Sequence, residues 1–276
     1  MYIRFTKMHG LGNDFVVIDA VTQAVTMTDE LARRLADRHT GIGCDQILLV
    51  EPPGHPDIDF KYRIFNADGS QVAQCGNGAR CFAKFVHDRR LTGKTLLNVE
   101  TYAGTLQLRI GDQQSYTATL GIPSFEPAQI PLVAEQAAPT YAIEVDGHNI
   151  DIAALSLGNP HAVLQVVDIQ QAPIDTLGPM LESHSRFPER VNVGFMAVVS
   201  RHEINLRVYE RGAGETQACG SGACAAAVAG IAQDLLDSPV KVNLPGGSLS
   251  IAWQGKNQPV SVTGPATTVY QGRIRL

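Results

Sequence analysis

The sequence predicts an α+β fold made of two homologous half-domains, each with strands wrapped around one central helix. Three observations predict it. A glycine–cysteine turn occurs twice, as Cys75-Gly76-Asn77-Gly78-Ala79 and as Cys219-Gly220-Ser221-Gly222-Ala223. Flanking segments match at a nearly constant separation over most of the chain. The matched segments are mostly strand-like, and each cysteine is followed by an apolar, alanine-containing run that reads as a helix.

The two cysteines lie 144 positions apart, as do Tyr62–Asn66 and Leu206–Glu210. Upstream the separation is 146: Leu11-Gly12-Asn13 matches Leu157-Gly158-Asn159, and Gln46–Val50 matches Asn192–Met196. Downstream it is 143: Ala103–Leu106 matches Gly246–Leu249, and Leu120-Gly121 matches Thr263-Gly264. The last one-residue step falls between the paired cysteines, with Arg80 lacking a counterpart. Strands are expected at 14–19, 46–50, 60–65, 96–100 and 106–110, and again at 162–167, 196–199, 204–209, 240–244 and 249–253. Thr28–His39 reads as an amphipathic helix with Thr28 as its N-cap. The post-cysteine helices are expected at 79–89 and 223–232, the second apolar all round and therefore buried on every side. A repeat this long is not a solenoid, so two domains with a site between them are expected: 1–130 and 131–276, divided in the proline-bearing stretch Pro123–Pro139.

Composition narrows the function classes. The chain has 276 residues, 44% of them hydrophobic, and a net charge of −5, which argues against a nucleic-acid footprint. The N-terminus lacks a signal-peptide core, and no apolar run approaches the roughly 18 residues of a transmembrane helix, so a soluble, cytoplasmic protein is expected. Five cysteines in that setting are expected to be free, and their spacing is not that of a zinc site. No metal and no cofactor are expected.

The duplicated turns carry the chemistry. A cysteine before a helix N-terminus sits at the positive end of the helix dipole, which lowers its pKa toward neutrality. The backbone N–H groups of Gly76, Asn77, Gly220 and Ser221 suit a carboxylate. Two such turns converging on one site would flank the carbon beside that carboxylate with two sulfurs. Packing as small hydrophobes is the reading for Cys44, Cys81 and Cys224, which have no such turn. Further polar pairs keep the repeat's register: Asn13 with Asn159, Gln46 with Asn192, Asn66 with Glu210. Each alone reads as turn or cap chemistry; together they suggest one pocket for ammonium and carboxylate groups. Arg211 adds a carboxylate fork, Glu210 a negative charge, and His161 a group able to tune a thiol near working pH.

These residues resemble diaminopimelate epimerase, a pyridoxal-independent family. The resemblance runs through Lys7–Phe15, Asn66–Ser70, Cys75–Cys81, Gly158–His161, Tyr209–Thr216 and Ala218–Gly222 and spans nearly the whole chain. It implies two α+β domains, each a mostly antiparallel β-barrel-like sheet around a central helix, with 264–276 returning to the first. It implies a homodimer, closure on substrate, and interconversion of LL- and meso-diaminopimelate on the way to lysine and cell-wall peptides. Cys75 and Cys219 are then the catalytic pair, one taking the Cα proton and the other delivering one to the opposite face. Asn66, Asn159, Asn192 and Arg211 are expected to read the distal end, and Asn13, Gln46 and Glu210 to hold ammonium groups. Two rivals remain: a redox or anion-binding module in which Cys75 and Cys219 form a disulfide, and a proline or hydroxyproline racemase, whose substrates would leave Arg211 and the extra asparagines little to bind.

Overall fold

The computed structural model describes residues 2–73, 75–112 and 115–275. Two compact units divide the chain: Met1–Thr119 with Thr263–Leu276, and Leu120–Val262. The chain leaves the first unit ahead of the prolines because its backbone pairs into the second from Leu120 onward. The Leu120 N–H donates to Val260, and Ser124 exchanges hydrogen bonds with Ser156 at 2.9 and 2.8 Å.

In the first unit, β1 (Tyr2–Gly10) and β2 (Asn13–Asp19) form a hairpin, followed by α1 (Asp29–Ala36), β3 (Gln46–Glu51), β4 (Phe60–Asn66) and β5 (Gln71–Val72). Then come α2 (Gly76–Asp88), β6 (Leu96–Thr101), β7 (Gly104–Ile110) and β8 (Ser115–Thr119). Pairing is antiparallel except for β2 with β3 and β4 with β6. Helix α2 packs against β1, β2, β3, β7 and β8, so it is the centre of the sheet that curls around it. Helix α1 lies outside, capped by Thr28, whose hydroxyl accepts from the Leu31 N–H at 3.2 Å.

The second unit repeats this plan with β9 (Tyr141–Val145), β10 (His148–Ser156), β11 (Pro160–Gln165), α3 (Ile174–Glu182), β12 (Asn192–Ser200), β13 (Glu203–Glu210), β14 (Gly214–Thr216), α4 (Gly220–Ala232), β15 (Val240–Leu244) and β16 (Gly247–Trp253). Strand β17 (Val260–Pro265) leads out of it, and β18 (Thr267–Arg275) pairs antiparallel with β1 in the first unit. Helix α4 packs against β10, β11, β12, β13, β15 and β16, and Ala223–Gly230 are all buried.

The repeat holds to the level of strand register. Phe15 opposes Gln46 as His161 opposes Asn192, and Ile47 opposes Phe65 as Val193 opposes Tyr209. Phe60 opposes Val99 as Ile204 opposes Val242. In the alternating strands β4 and β13 a one-residue slip would turn the apolar face outward, whereas β3 and the buried part of β12 are apolar on both faces and take their register from the strands they pair with.

Two expectations change. Both central helices run 13 residues from the residue after the cysteine. Arg80 therefore does have a counterpart, Cys224, and the one-residue step lies in the connection that follows each helix, where an insertion costs least. Each helix also starts three residues earlier than the apolar run, because the cysteine itself is the N-cap. Helix α3 was not predicted. It contains Gly178 and Pro179, which oppose helix formation, but Gly178 lies against Tyr209, where an added Cβ would come within 2.8 Å of the ring.

Candidate active site

Each cysteine caps the helix it precedes. The Cys75 Sγ accepts from the Gly78 N–H at 3.4 Å, and the Cys219 Sγ accepts from the Gly222 N–H at 3.3 Å. A sulfur accepting at the N-cap is the thiol version of the usual serine or aspartate cap. It also aims the sulfur across the helix N-terminus. The glycines are needed for this: a Cβ on Gly78 would lie 2.4 Å from the Tyr62 hydroxyl, and one on Gly222 would lie 3.0 Å from Val208. All five cysteines are unbridged.

Around Cys75, in the first unit, Asn13 presents its Oδ1 to the sulfur at 3.9 Å and to the Asn77 Nδ2 at 3.3 Å. The Asn13 Nδ2 donates to Asp45 at 3.0 Å. Arg80, fully buried, donates to the Asn77 Oδ1 at 2.9 Å, to the Gly76 carbonyl at 3.2 Å and to the Pro265 carbonyl at 3.4 Å. Gln46 and Asn66, paired across β3 and β4, are joined by the Gln46 Nε2 donating to the Asn66 Oδ1 at 3.0 Å. The Gln46 Oε1 is sealed from solvent and has no hydrogen-bond partner among the described residues.

Around Cys219, in the second unit, Ser221 Oγ lies 3.6 Å from the sulfur and accepts from the Asn159 Nδ2 at 3.4 Å. Asn159 Oδ1 faces His161 Nε2 at 3.1 Å. Glu210 accepts from the Thr216 hydroxyl. Asn192 is buried with both ends of its amide engaged, its Nδ2 on the Pro160 carbonyl and its Oδ1 on the Arg211 N–H, each at 3.0 Å. Arg211 is exposed and donates to the Glu189 carbonyl at 3.0 Å.

Electrostatics correct two expectations. The helix N-terminus does not lower the Cys219 pKa. Burial, then the Glu210 charge, push this thiol well above its ordinary value, outweighing the hydrogen bonds from Ser221 and Gly222. His161 does not titrate near working pH. Burial, and secondarily the Arg211 charge, hold it at about 3, so it is neutral imidazole. A neutral ring donating from Nε2 orients the Asn159 amide instead. Cys81 and Cys44 are pushed up to about 12, mainly by burial, as expected of packing cysteines.

Several residues that shape the site were missed. Asp45, Arg80, Thr216 and Glu182 act through others: Asp45 on Asn13, Arg80 on Asn77, Thr216 on Glu210, and Glu182 on the Arg211 turn through the Gly212 N–H at 3.0 Å. Arg80 could have been found, since a charged residue in the buried run after the first cysteine requires partners. Among the described residues no three His, Cys, Asp or Glu side chains gather as metal ligands, and no helix is long and apolar enough to cross a membrane.

The family model for diaminopimelate epimerase matches residues 5–125 and 153–269, which include both cysteine turns. This chain belongs to the diaminopimelate epimerase family. Diaminopimelate epimerase of Ectopseudomonas mendocina is 59% identical over 276 residues, covering 100% of both chains. Two solved structures share the fold at 16% identity and TM-score 0.71. One is a PhzF-family phenazine biosynthesis protein from Bacillus anthracis, with 100% of each chain covered. The other is a hydroxyproline epimerase from Agrobacterium vitis with bound trans-4-hydroxy-L-proline, covering 99% of this chain and 92% of that one. As members of this family do, the chain is built as two pseudo-symmetric domains.

Proposed function

We propose that this chain interconverts LL- and meso-diaminopimelate by a two-base mechanism in which Cys75 and Cys219 act on opposite faces of one Cα. The observation that carries the reading is the matched pair of cysteine caps, each sulfur held by the N–H three residues on in an equivalent helix. Family membership supplies the substrate class.

The Cα–H beside an ammonium and a carboxylate is a far weaker acid than a thiol. Charge developing on the carboxylate must be stabilised by fixed donors, and the first-turn N–H groups of Gly76, Asn77, Gly220 and Ser221 are suited to this. Burial and Glu210 favour the neutral form of Cys219, so this thiol enters as the acid and Cys75 as the base in one direction, with roles exchanged in reverse. Gln46 Oε1, a buried acceptor without a partner, is matched by an ammonium donor; leaving it unmet costs about 1–3 kcal/mol. Asn13 and Glu210 are the other candidates for ammonium groups. Asn66, Asn159 and Arg211 read the distal end, and Asn192 holds the Arg211 turn in place. The enzyme works as a cytoplasmic homodimer on this reading.

The test is solvent deuterium incorporation at Cα of diaminopimelate, run beside proline. The expected result is incorporation into diaminopimelate alone, and loss of epimerisation in both Cys75→Ala and Cys219→Ala with the fold retained. Full activity of either variant sinks the two-base model.

A further inference from the structure

We propose that Asp45 and Arg80 are positioning residues that lock the Asn13 and Asn77 amides into one donor–acceptor polarity, so that Asn13 turns its oxygen, not its NH2, toward the Cys75 thiol. The inference rests on the reading of Cys75 as an acid–base group.

An asparagine amide is nearly symmetric in shape and can present either end to a neighbour. What sets the end is a partner able to play only one part. An ionised carboxylate only accepts, and a guanidinium only donates. Asp45 stands at one end of this chain of amides and Arg80 at the other. The Asp45 Oδ2 lies 3.0 Å from the nitrogen of the Asn13 amide, so that end must be NH2 and the other end must be oxygen. Arg80 lies 2.9 Å from one end of the Asn77 amide, so that end must be oxygen and its NH2 must face Asn13. The two demands agree: the Asn77 NH2 meets the Asn13 oxygen at 3.3 Å, and the same oxygen is 3.9 Å from the Cys75 sulfur.

Both anchors are themselves held. Asp45 Oδ1 accepts from Arg38 at 2.8 Å, and its Oδ2 also takes the Asp14 N–H at 3.0 Å. Asp14 is paired with Arg38 and with the buried Lys7. Arg80 is fully buried and tied to two backbone carbonyls. Within this unit the Cys75 charge is felt by Tyr62 of β4 and Cys81 of α2, both of which it raises. Arg80 acts on it through Asn77, and Asp45, Asp14, Arg38 and Lys7 lie beyond Asn13.

An amide oxygen beside the sulfur favours the thiol, whereas an amide NH2 in the same place would favour the thiolate. The clamp therefore restrains Cys75 from ionising until substrate draws on Asn13. The experiment is the pH dependence of alkylation at Cys75, followed by mass mapping on the full chain, in four proteins. Asp45→Asn combined with Asn77→Ala removes both one-way demands on the Asn13 amide and frees the flip, so the alkylation midpoint should fall by about one pH unit. Asp45→Glu keeps an acceptor-only partner and should hold the wild-type midpoint. Asn13→Asp combined with Asp45→Asn replaces the amide at position 13 with a group that can only accept, and the midpoint should rise above wild type. A lost structural contact would move all three variants the same way. An unmoved or raised midpoint in the Asp45→Asn, Asn77→Ala double variant overturns the proposal, as does an Asp45→Glu midpoint equal to that of the double variant. Those outcomes leave the catalytic role of Cys75 standing, because that role is tested separately by Cys75→Ala.

Discussion

Gly78→Ala places a methyl group 2.4 Å from the Tyr62 hydroxyl oxygen and 3.2 Å from a Leu48 methyl. The hydroxyl cannot retreat easily, since the Tyr62 ring is buried and packs at a tilt against Phe82 of the same helix as Gly78, with 4.7 Å between ring centroids. Overpacking of this kind costs about 1–3 kcal/mol, against which a helical glycine-to-alanine change returns about 0.5–1 kcal/mol. A net loss of about 1–2 kcal/mol is expected. Tyr62→Phe removes the obstructing atom, leaving contacts of 3.2 Å with Leu48 and 3.4 Å with Phe15. It also removes a buried hydroxyl that has no hydrogen-bond partner among the described residues, a group whose burial costs about 1–3 kcal/mol. The alanine change should therefore be nearly neutral in the Tyr62→Phe background, a coupling of at least about 1 kcal/mol between the two sites. Urea denaturation of the wild type, the two single variants and the double variant measures it. The same cost for Gly78→Ala in both backgrounds would refute the argument. In the wild-type background kcat should also fall, because the Gly78 N–H is the group that holds the Cys75 sulfur.

His161 links stability to acid. Its folded pKa of about 3 lies below the unfolded value near 6.5, so the unfolded chain takes up the proton first. The stability it contributes is complete above pH 6.5 and is lost as pH falls toward 3, on the order of 2 kcal/mol by pH 4.5. Urea midpoints at pH 7 and pH 4.5 should show this loss in the wild type and a smaller one in His161→Gln; equal losses would contradict it. Glu210→Gln removes the second cause of the raised Cys219 pKa. Its alkylation midpoint should move down yet stay above that of an ordinary thiol, because burial is the larger cause. A midpoint that does not move would show that the Glu210 charge does not reach the sulfur.

Much of the site was legible because it is duplicated. Gln46, Asn66, Asn192 and Glu210 stand at strand ends, where a polar residue bounds the apolar run of β3 or β12 or the apolar alternation of β4 or β13. The residues that escaped notice, such as Asp45 and Glu182, have no repeat partner in the pattern and act through a hydrogen bond to a residue far along the chain. Helix α3 escaped because its glycine satisfies a close approach to Tyr209 rather than a local preference, and the proline beside it reads as a breaker.

The sequence by itself determined the two-fold plan, the paired thiols before paired helices, and the matched strand ends that carry the polar side chains. All of these follow from local patterning repeated along one chain. Tertiary structure alone decided the protonation state and the polarity. Burial reversed the expected direction for Cys219 and silenced His161 as a titrating group. The ends that Asn13 and Asn77 present are set by Asp45, 32 positions from Asn13, and by Arg80, which is itself anchored to a carbonyl 185 positions away. Desolvation and hydrogen-bond matching depend on what the folded chain brings alongside a group, and no local pattern encodes that.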